Sequence, residues 1–230
     1  MAMRTRRTRR TWRRALELQR QVRSPLLPAS ARPLAVALLV ACVALTVFLA
    51  GWYTHQTRAG WLDAAIDIRV QALLGGHPAV ASLVRLGNPI PVTMMTALLV
   101  TACLATRRWR AAVLVAIAVS GAGALTELLL KPLVRRTFTG ELSFPSGRAT
   151  GVFALAVAFA ILLVDPPGPR MPAYLRVLLA LAALLAASIV AVATVGVHYH
   201  YATDTVGGAA VATTTVLLTA LVVDRIPKRR

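Results

Sequence analysis

Six stretches of this chain are apolar over 16 to 23 residues each, at 34–53, 90–106, 111–130, 149–164, 175–197 and 205–223. A helix needs about 20 apolar residues to cross the hydrocarbon of a bilayer, so the pattern predicts six membrane helices, the second and fourth being short. Residues 61–74 read differently. Leu62, Ile66, Ile68 and Val70 alternate with Asp63, Asp67 and Arg69, which suggests an amphipathic helix at the membrane interface between the first and second spans. Gly75-Gly76-His77-Pro78 ends it, and Asp165-Pro166-Pro167-Gly168-Pro169 is a turn between the fourth and fifth spans. The sequence Leu39-Val40-Ala41-Cys42 imitates a lipoprotein cleavage box, but the apolar run continues beyond Cys42 as an uncleaved anchor does.

Composition supports a membrane protein. Hydrophobic residues make up 57% of the 230 positions and mean hydropathy is +0.68, whereas soluble domains lie nearer about 45–50%. Cys42 and Cys103 lie in separate apolar runs with neither metal nor disulfide spacing. The expected fold is therefore all-α, an integral membrane six-helix bundle over residues 33–224. It is flanked by a basic cytoplasmic arm (1–32), disordered or a surface helix, and a basic cytoplasmic tail (225–230).

Charge orients the bundle. Lys and Arg outnumber Asp and Glu 26 to 8. With the N-terminus in the cytoplasm, 19 of those 26 cations fall inside, as the positive-inside rule requires. Ten arginines lie in the arm, which has no aromatic platform or recognition module following it, so a nucleic-acid partner is not expected. Of the seven cations left outside, four crowd into one loop: Lys131, Arg135, Arg136 and Arg148. A loop that breaks the bias needs another reason for its charge, and anion binding supplies one.

Three groups of residues near helix ends carry the candidate chemistry. Glu127 and Lys131 are four residues apart and share a helix face, with Arg135 and Arg136 one turn later. Pro145-Ser146-Gly147-Arg148 opens the fourth span; serine is a good helix N-cap, and a helix start offers free N–H groups to phosphate. His200 and Asp204 have helical i, i+4 spacing at the mouth of the sixth span, where an aspartate can fix the imidazole tautomer and leave the other nitrogen reactive. A structural hydrogen bond explains that pair equally well. His198 reads as an interfacial histidine, and His55 and His77 have no paired acid. Helix direction places all three groups on the outer side of the bilayer.

These motifs resemble those of the type 2 phosphatidic acid phosphatase (PAP2) family, membrane lipid phosphatases related to the vanadium haloperoxidases. The resemblance rests on Lys131-Pro132-Leu133-Val134-Arg135-Arg136-Thr137, Phe144-Pro145-Ser146-Gly147-Arg148 and His200-Tyr201-Ala202-Thr203-Asp204, and covers roughly residues 34–223. It implies a six-helix core, His200 as a nucleophile forming a phosphohistidine, and Asp204 orienting it. Lys131, Arg136, Ser146, Gly147 and Arg148 would bind the phosphate. Lipid phosphate or polyprenyl (pyro)phosphate is the implied substrate, at the outer face of a plasma membrane. No metal or other cofactor is expected, because cationic side chains would take up the transition-state charge. Three positions depart from the family's pattern. Arginines of the first and third motifs are replaced by Phe138 and Thr194, and the general-acid histidine of the second motif is Arg148. Arginine does not release a proton near neutrality. The chain is therefore expected to be a lipid (pyro)phosphate phosphatase weakened by Arg148, or else a relative that binds or carries lipid phosphates without turnover.

Overall fold

The computed structural model describes residues 25–164 and 171–226. Most of the basic arm, the turn at 165–169 and nearly all of the C-terminal tail lie outside the described residues. Eight helices follow in chain order: α1 (Arg32–Tyr53), α2 (Trp61–Leu74), α3 (Pro78–Arg85), α4 (Pro89–Ala105), α5 (Trp109–Val134), α6 (Gly147–Leu162), α7 (Ala173–Gly196) and α8 (Ala202–Arg225). A two-stranded hairpin, β1 (Thr137–Phe138) and β2 (Glu141–Leu142), stands between α5 and α6. Its turn residues Thr139 and Gly140 both have positive φ, 50° and 89°, the geometry that matches the twist of a tight hairpin.

Each of the six apolar stretches forms a helix, but they differ in reach. Four of them, Ala29–Tyr53, Trp109–Val134, Ala173–Gly196 and Ala202–Arg225, are long and apolar enough to cross a membrane. The pair α3 and α4, bent by 52° at their junction, is long and apolar enough only when the two are taken together. At 16 residues, α6 extends only about 24 Å at 1.5 Å per residue, short of the ~30 Å hydrocarbon core. The short helix α3 was not expected: Pro78 starts it rather than merely ending α2, and Val80 and Val84 pack it on Ala193 of α7.

Helix α8 is the centre of the bundle, packed against α6, α1 and α5. Its inner face is built from Ala212, Val216 and Ala220, which cluster with Leu114, Ala118 and Ala122 of α5 and Ala154 and Ala158 of α6. Small residues let membrane helices approach closely, so dispersion contacts accumulate where lipid offers no hydrophobic drive. The outer faces remain apolar, with Leu34, Val47 and Phe48 of α1 and Leu178, Leu181 and Leu185 of α7 exposed. At one end of the bundle the Asp224 carboxylate accepts from the Leu26 and Leu27 amides at 2.8 and 2.9 Å, and Arg110 donates to the Ile226 carbonyl at 2.7 Å. Both ends of the described chain therefore lie together. The opposite end, about 30 Å away along α8, is where α5 and α7 finish and α6 and α8 begin.

Helix α5 continues through a π-helical turn, Leu125–Leu130, into a last turn at Lys131–Val134. Pro132 cannot donate the ordinary backbone bond and would crowd the carbonyl four residues earlier; the wider turn relieves both problems. At the start of α8, Gly208 has no room for a side chain. A Cβ there would lie 2.6 Å from the Ser146 carbonyl oxygen and 3.0 Å from the Thr150 nitrogen, so α8 and α6 touch backbone to backbone. Gly208→Ala is expected to destabilise the protein by about 1–3 kcal/mol, the usual penalty of overpacking, lowering its thermal midpoint in detergent by several degrees. Gly51→Ala, where nothing lies within 4 Å, should leave the midpoint unchanged or raise it.

Candidate functional site

A cavity of about 460 Å³ opens at the end of the bundle where α5 finishes and α6 and α8 begin. Glu127, Lys131, Gly147, Arg148 and His200 line its polar end, and Thr93, Thr96, Ser120 and Gly123 line its extension between α4 and α5. The Glu127 and Lys131 expected to share a face are joined, Lys131 Nζ donating to Glu127 Oε2 at 2.8 Å. Arg148, at the second position of α6, reaches back to the bend between α3 and α4: its Nε donates to Asn88 Oδ1 at 2.9 Å. The Arg148 guanidinium stacks on the exposed Tyr199 ring, 4.6 Å from the centroid. Gly87 lets the chain pass close, a Cβ there lying 3.0 Å from Arg148 Cβ and 3.1 Å from Val190. Ser146 is fully buried; its hydroxyl accepts from the Ala149 amide at 3.4 Å and thus caps α6 instead of facing the cavity. The Gly147 and Arg148 amides, in the first turn, have no acceptor within their helix.

Arg136 lies elsewhere. It does not line the cavity, and its side chain is fully buried among groups that spacing did not connect with it. One terminal nitrogen donates to Asp204 Oδ1 at 2.6 Å and to Thr203 Oγ1 at 2.7 Å, while the other donates to Asp63 Oδ2. Above and below, the guanidinium is sandwiched by the Tyr53 and Tyr201 rings at 3.8 and 4.3 Å. Phe138 sits edge-on to Tyr201 with ring centroids 4.7 Å apart. It therefore holds the aromatic sandwich where the family pattern has an arginine. Thr194 is buried in α7 and donates to the Val190 carbonyl at 2.8 Å. Arg135 is exposed, with its Nε on the Pro132 carbonyl at 3.2 Å.

The acids of α2 face inward, unlike the solvated face expected of an interfacial helix. Asp63 accepts from the Thr203 amide and hydroxyl at 2.9 and 3.0 Å, and Asp67 accepts from the Ala202 amide at 3.1 Å. These carboxylates meet the first turn of α8, where free amides and the positive end of the helix dipole favour negative charge. Three buried acids then surround one arginine. Burial, above all, pushes the Asp67 carboxyl up to about 6; the nearby Asp63 and Asp204 add to the rise, while the Ala202 amide and Arg136 oppose it. Among the described residues, sequence reasoning missed Tyr53 and Asn88 altogether, gave Tyr201 no role within its motif, and saw Asp63 and Asp67 only as surface groups.

His200 and Asp204 are close, but not as a helical pair. α8 starts at Ala202, so His200 lies before it and Asp204 sits in its first turn, where Oδ2 accepts from the Tyr201 amide at 3.2 Å. His200 Nδ1 is 3.6 Å from the same Oδ2, slightly beyond hydrogen-bond reach, and is buried with no other partner. The backbone ties the two halves of the site together, the Ser146 amide donating to the Asp204 carbonyl at 2.9 Å. His198 is exposed one turn away.

Comparisons with known proteins bear on the family and the fold. Residues 125–228 match the family model of the PAP2 superfamily. That segment holds Lys131, Arg136, Arg148, His200 and Asp204, but not Tyr53, Asp63 or Asn88. No curated protein matches the chain. A solved structure described as the first transmembrane PAP2-type phosphatidylglycerolphosphate phosphatase, from Bacillus subtilis, is similar with a TM-score of 0.68 at 17% identity; the match covers 84% of this chain and 98% of that one.

Two outcomes follow from the buried cluster. Arg136→Met leaves Asp63 and Asp204 buried against each other and should lower stability by about 3–5 kcal/mol, as when one partner of a buried ion pair is removed; denaturant or thermal unfolding in detergent measures it. Because Asp67 is raised from 3.8 to about 6, its contribution to stability is complete below about pH 4 and is lost as pH rises through 6. Asp67→Asn, which keeps an acceptor for Ala202 without the charge, should therefore gain thermal stability relative to the unsubstituted protein above pH 6 and lose that advantage near pH 4.

Proposed function

We propose that this chain, which belongs to the PAP2 superfamily, is a membrane lipid phosphatase that cleaves phosphate or pyrophosphate esters through a phosphohistidine on His200. The supporting observation is that His200, Lys131, and Gly147 and Arg148 at the start of α6 line one cavity, although they come from three separate segments of the chain. Lys131 supplies a point charge and Arg148 a planar fork to the phosphoryl oxygens, while the Gly147 and Arg148 amides add neutral donors at the helix start. His200 Nε2, the nitrogen away from Asp204, is the attacking atom. Asp204 stabilises the imidazole as it becomes positive. The cations line up against charge that develops on the transferred group, which is the main requirement of phosphoryl transfer.

Arg136 takes a different role from the phosphate ligand that motif spacing suggested. Its two carboxylate partners and two rings account for its charge, and it holds Asp204 in position behind the nucleophile. Ser146 likewise acts by shaping the start of α6. The extension of the cavity past Thr93, Thr96, Ser120 and Gly123 offers room for an acyl or prenyl chain between α4 and α5, whose Thr93 and Ser120 are exposed on the bundle's flank. The charge distribution favours a plasma membrane with both termini in the cytoplasm and the site on the outer face.

One observation favours a second reading, a relative that binds lipid phosphates without turning them over. Arg148 stands where the family pattern has its proton donor, and Asn88 and Tyr199 hold it there. Phosphate release by purified protein in detergent separates the two. The phosphatase reading expects release that falls to background in His200→Ala and drops at least tenfold in Lys131→Ala. If the unsubstituted protein releases no more than His200→Ala, while Arg148→His does release phosphate, the binding reading stands instead.

A further inference from the structure

A phosphate ester of a simple alcohol has a poor leaving group, which needs a proton as the P–O bond breaks. Arg148 cannot provide it. Few other groups on the cavity wall could. His200 is the nucleophile, Lys131 is already engaged with Glu127 at 2.8 Å, and the hydroxyls of Thr93, Thr96 and Ser120 are very weak acids. The remaining protic group is the carboxyl of Glu127.

Its placement suits the task. Glu127 lies in the π-helical turn of α5, four residues before Lys131. Its Oε2 accepts from Lys131, and its Oε1 lies so close to Gly147 that a Cβ there would require the carboxylate to shift. The carboxyl thus sits at the first turn of α6, beside the amides assigned to the phosphoryl group. The side chain is half exposed, at 50%, so it can exchange protons with water and move without disturbing the core. Lys131, Arg148 and His200 are the charged or titratable groups that share its end of the cavity. Without substrate, Lys131 pairs with the carboxylate. A bound phosphate dianion changes that balance: it draws Lys131 and Arg148 to its own oxygens and places a second negative charge beside the carboxylate. Two anions in such confinement retain a proton between them.

We infer that Glu127 is the proton donor to the leaving oxygen, taking over the work that Arg148 cannot do; the inference rests on the phosphatase reading of the site. In the first step the His200 Nε2 lone pair forms the N–P bond, the P–O bond to the lipid breaks, and its electron pair takes the Glu127 proton. The products are a free alcohol, phosphohistidine and the Glu127 carboxylate. In the second step water attacks phosphorus and gives its proton to that carboxylate. The P–N bond breaks, its pair returns to His200, and phosphate leaves with Glu127 protonated again.

The test compares two substrates that differ in leaving group: phosphatidic acid in mixed micelles, which expels an alkoxide, and 4-nitrophenyl phosphate, which expels an acidic phenol. Glu127→Gln keeps the size of the side chain. It should lower kcat on phosphatidic acid by ~10²–10⁴-fold, the usual contribution of a general acid, and change 4-nitrophenyl phosphate turnover far less. The alkaline limb of the phosphatidic acid pH profile should disappear with it. Adding Arg148→His to Glu127→Gln should restore part of the lost rate. Equal losses on both substrates, or a change in KM alone, would overturn the inference and leave Glu127 as the counter-charge of Lys131. If the unsubstituted protein fails to exceed His200→Ala on either substrate, the phosphatase reading falls and the inference falls with it. The 4-nitrophenyl phosphate arm separates these cases, since it depends on His200 and not on Glu127.

Discussion

The Arg136 guanidinium joins segments that are distant in the chain. Asp63 comes from α2, Asp204 and Thr203 from the start of α8, Tyr53 from the end of α1 and Tyr201 from the loop after α7. A buried ion cluster of this kind contributes little net stability, because desolvating the charges offsets most of their attraction. Its consequence is geometric. With donors and acceptors fixed in direction, the first turn of α8 has one orientation relative to α2, and Asp204 is held behind His200. Small residues alone could pack these helices in several registers. The cluster selects one.

From that anchor the remainder of the site is set by backbone. Asp204 passes its carbonyl to the Ser146 amide, so the start of α8 fixes the start of α6. Gly208 allows the two helices to touch at that point, and Ser146 caps α6, which leaves the next two amides directed toward the cavity end. The π turn ahead of Pro132 then brings Glu127 and Lys131 to the same place from α5. Each of these steps restricts a different element, and together they bring three helix ends to a single polar cavity in an otherwise apolar bundle.

Much of this was legible in the sequence, for physical reasons. Apolar run length found the six apolar helices, four of which are long enough to cross a membrane by themselves, because lipid enforces a minimum span. Lys131, Arg148 and His200 stood out because cations and histidines at membrane helix ends have few structural uses. Arg136 was misplaced for the same reason: its charge suggested a ligand, whereas its partners Asp63 and Tyr53 lie more than 70 residues earlier, where no local spacing can show them. The acids of α2 looked like a polar surface because alternation reveals that a face differs, but not which face is buried. Helix α3 was hidden behind a Gly-Gly-His-Pro sequence that both ends one helix and begins the next. The His200–Asp204 spacing suggested a helical pair, yet the helix starts between them; four residues of loop and first turn can bring two side chains as close as a helical turn does.

The charge at the cavity ties the departures from the family pattern together. Two arginine positions carry Phe138 and Thr194, and the first of these now supports the aromatic sandwich on Arg136. In the proposed site, losing two cations would weaken the grip on a phosphate, and Arg148, braced by Asn88 and Tyr199, would return one of them from a new direction. That gain in positive charge removes a proton donor, since a guanidinium cannot serve as both clamp and acid. Glu127 fits both sides of this exchange. It pairs with Lys131 in the structure, and in the proposed mechanism it supplies the proton that Arg148 cannot. In the proposed mechanism, the phosphate clamp and the proton donor are thereby two different residues, Arg148 and Glu127, on neighbouring helix ends.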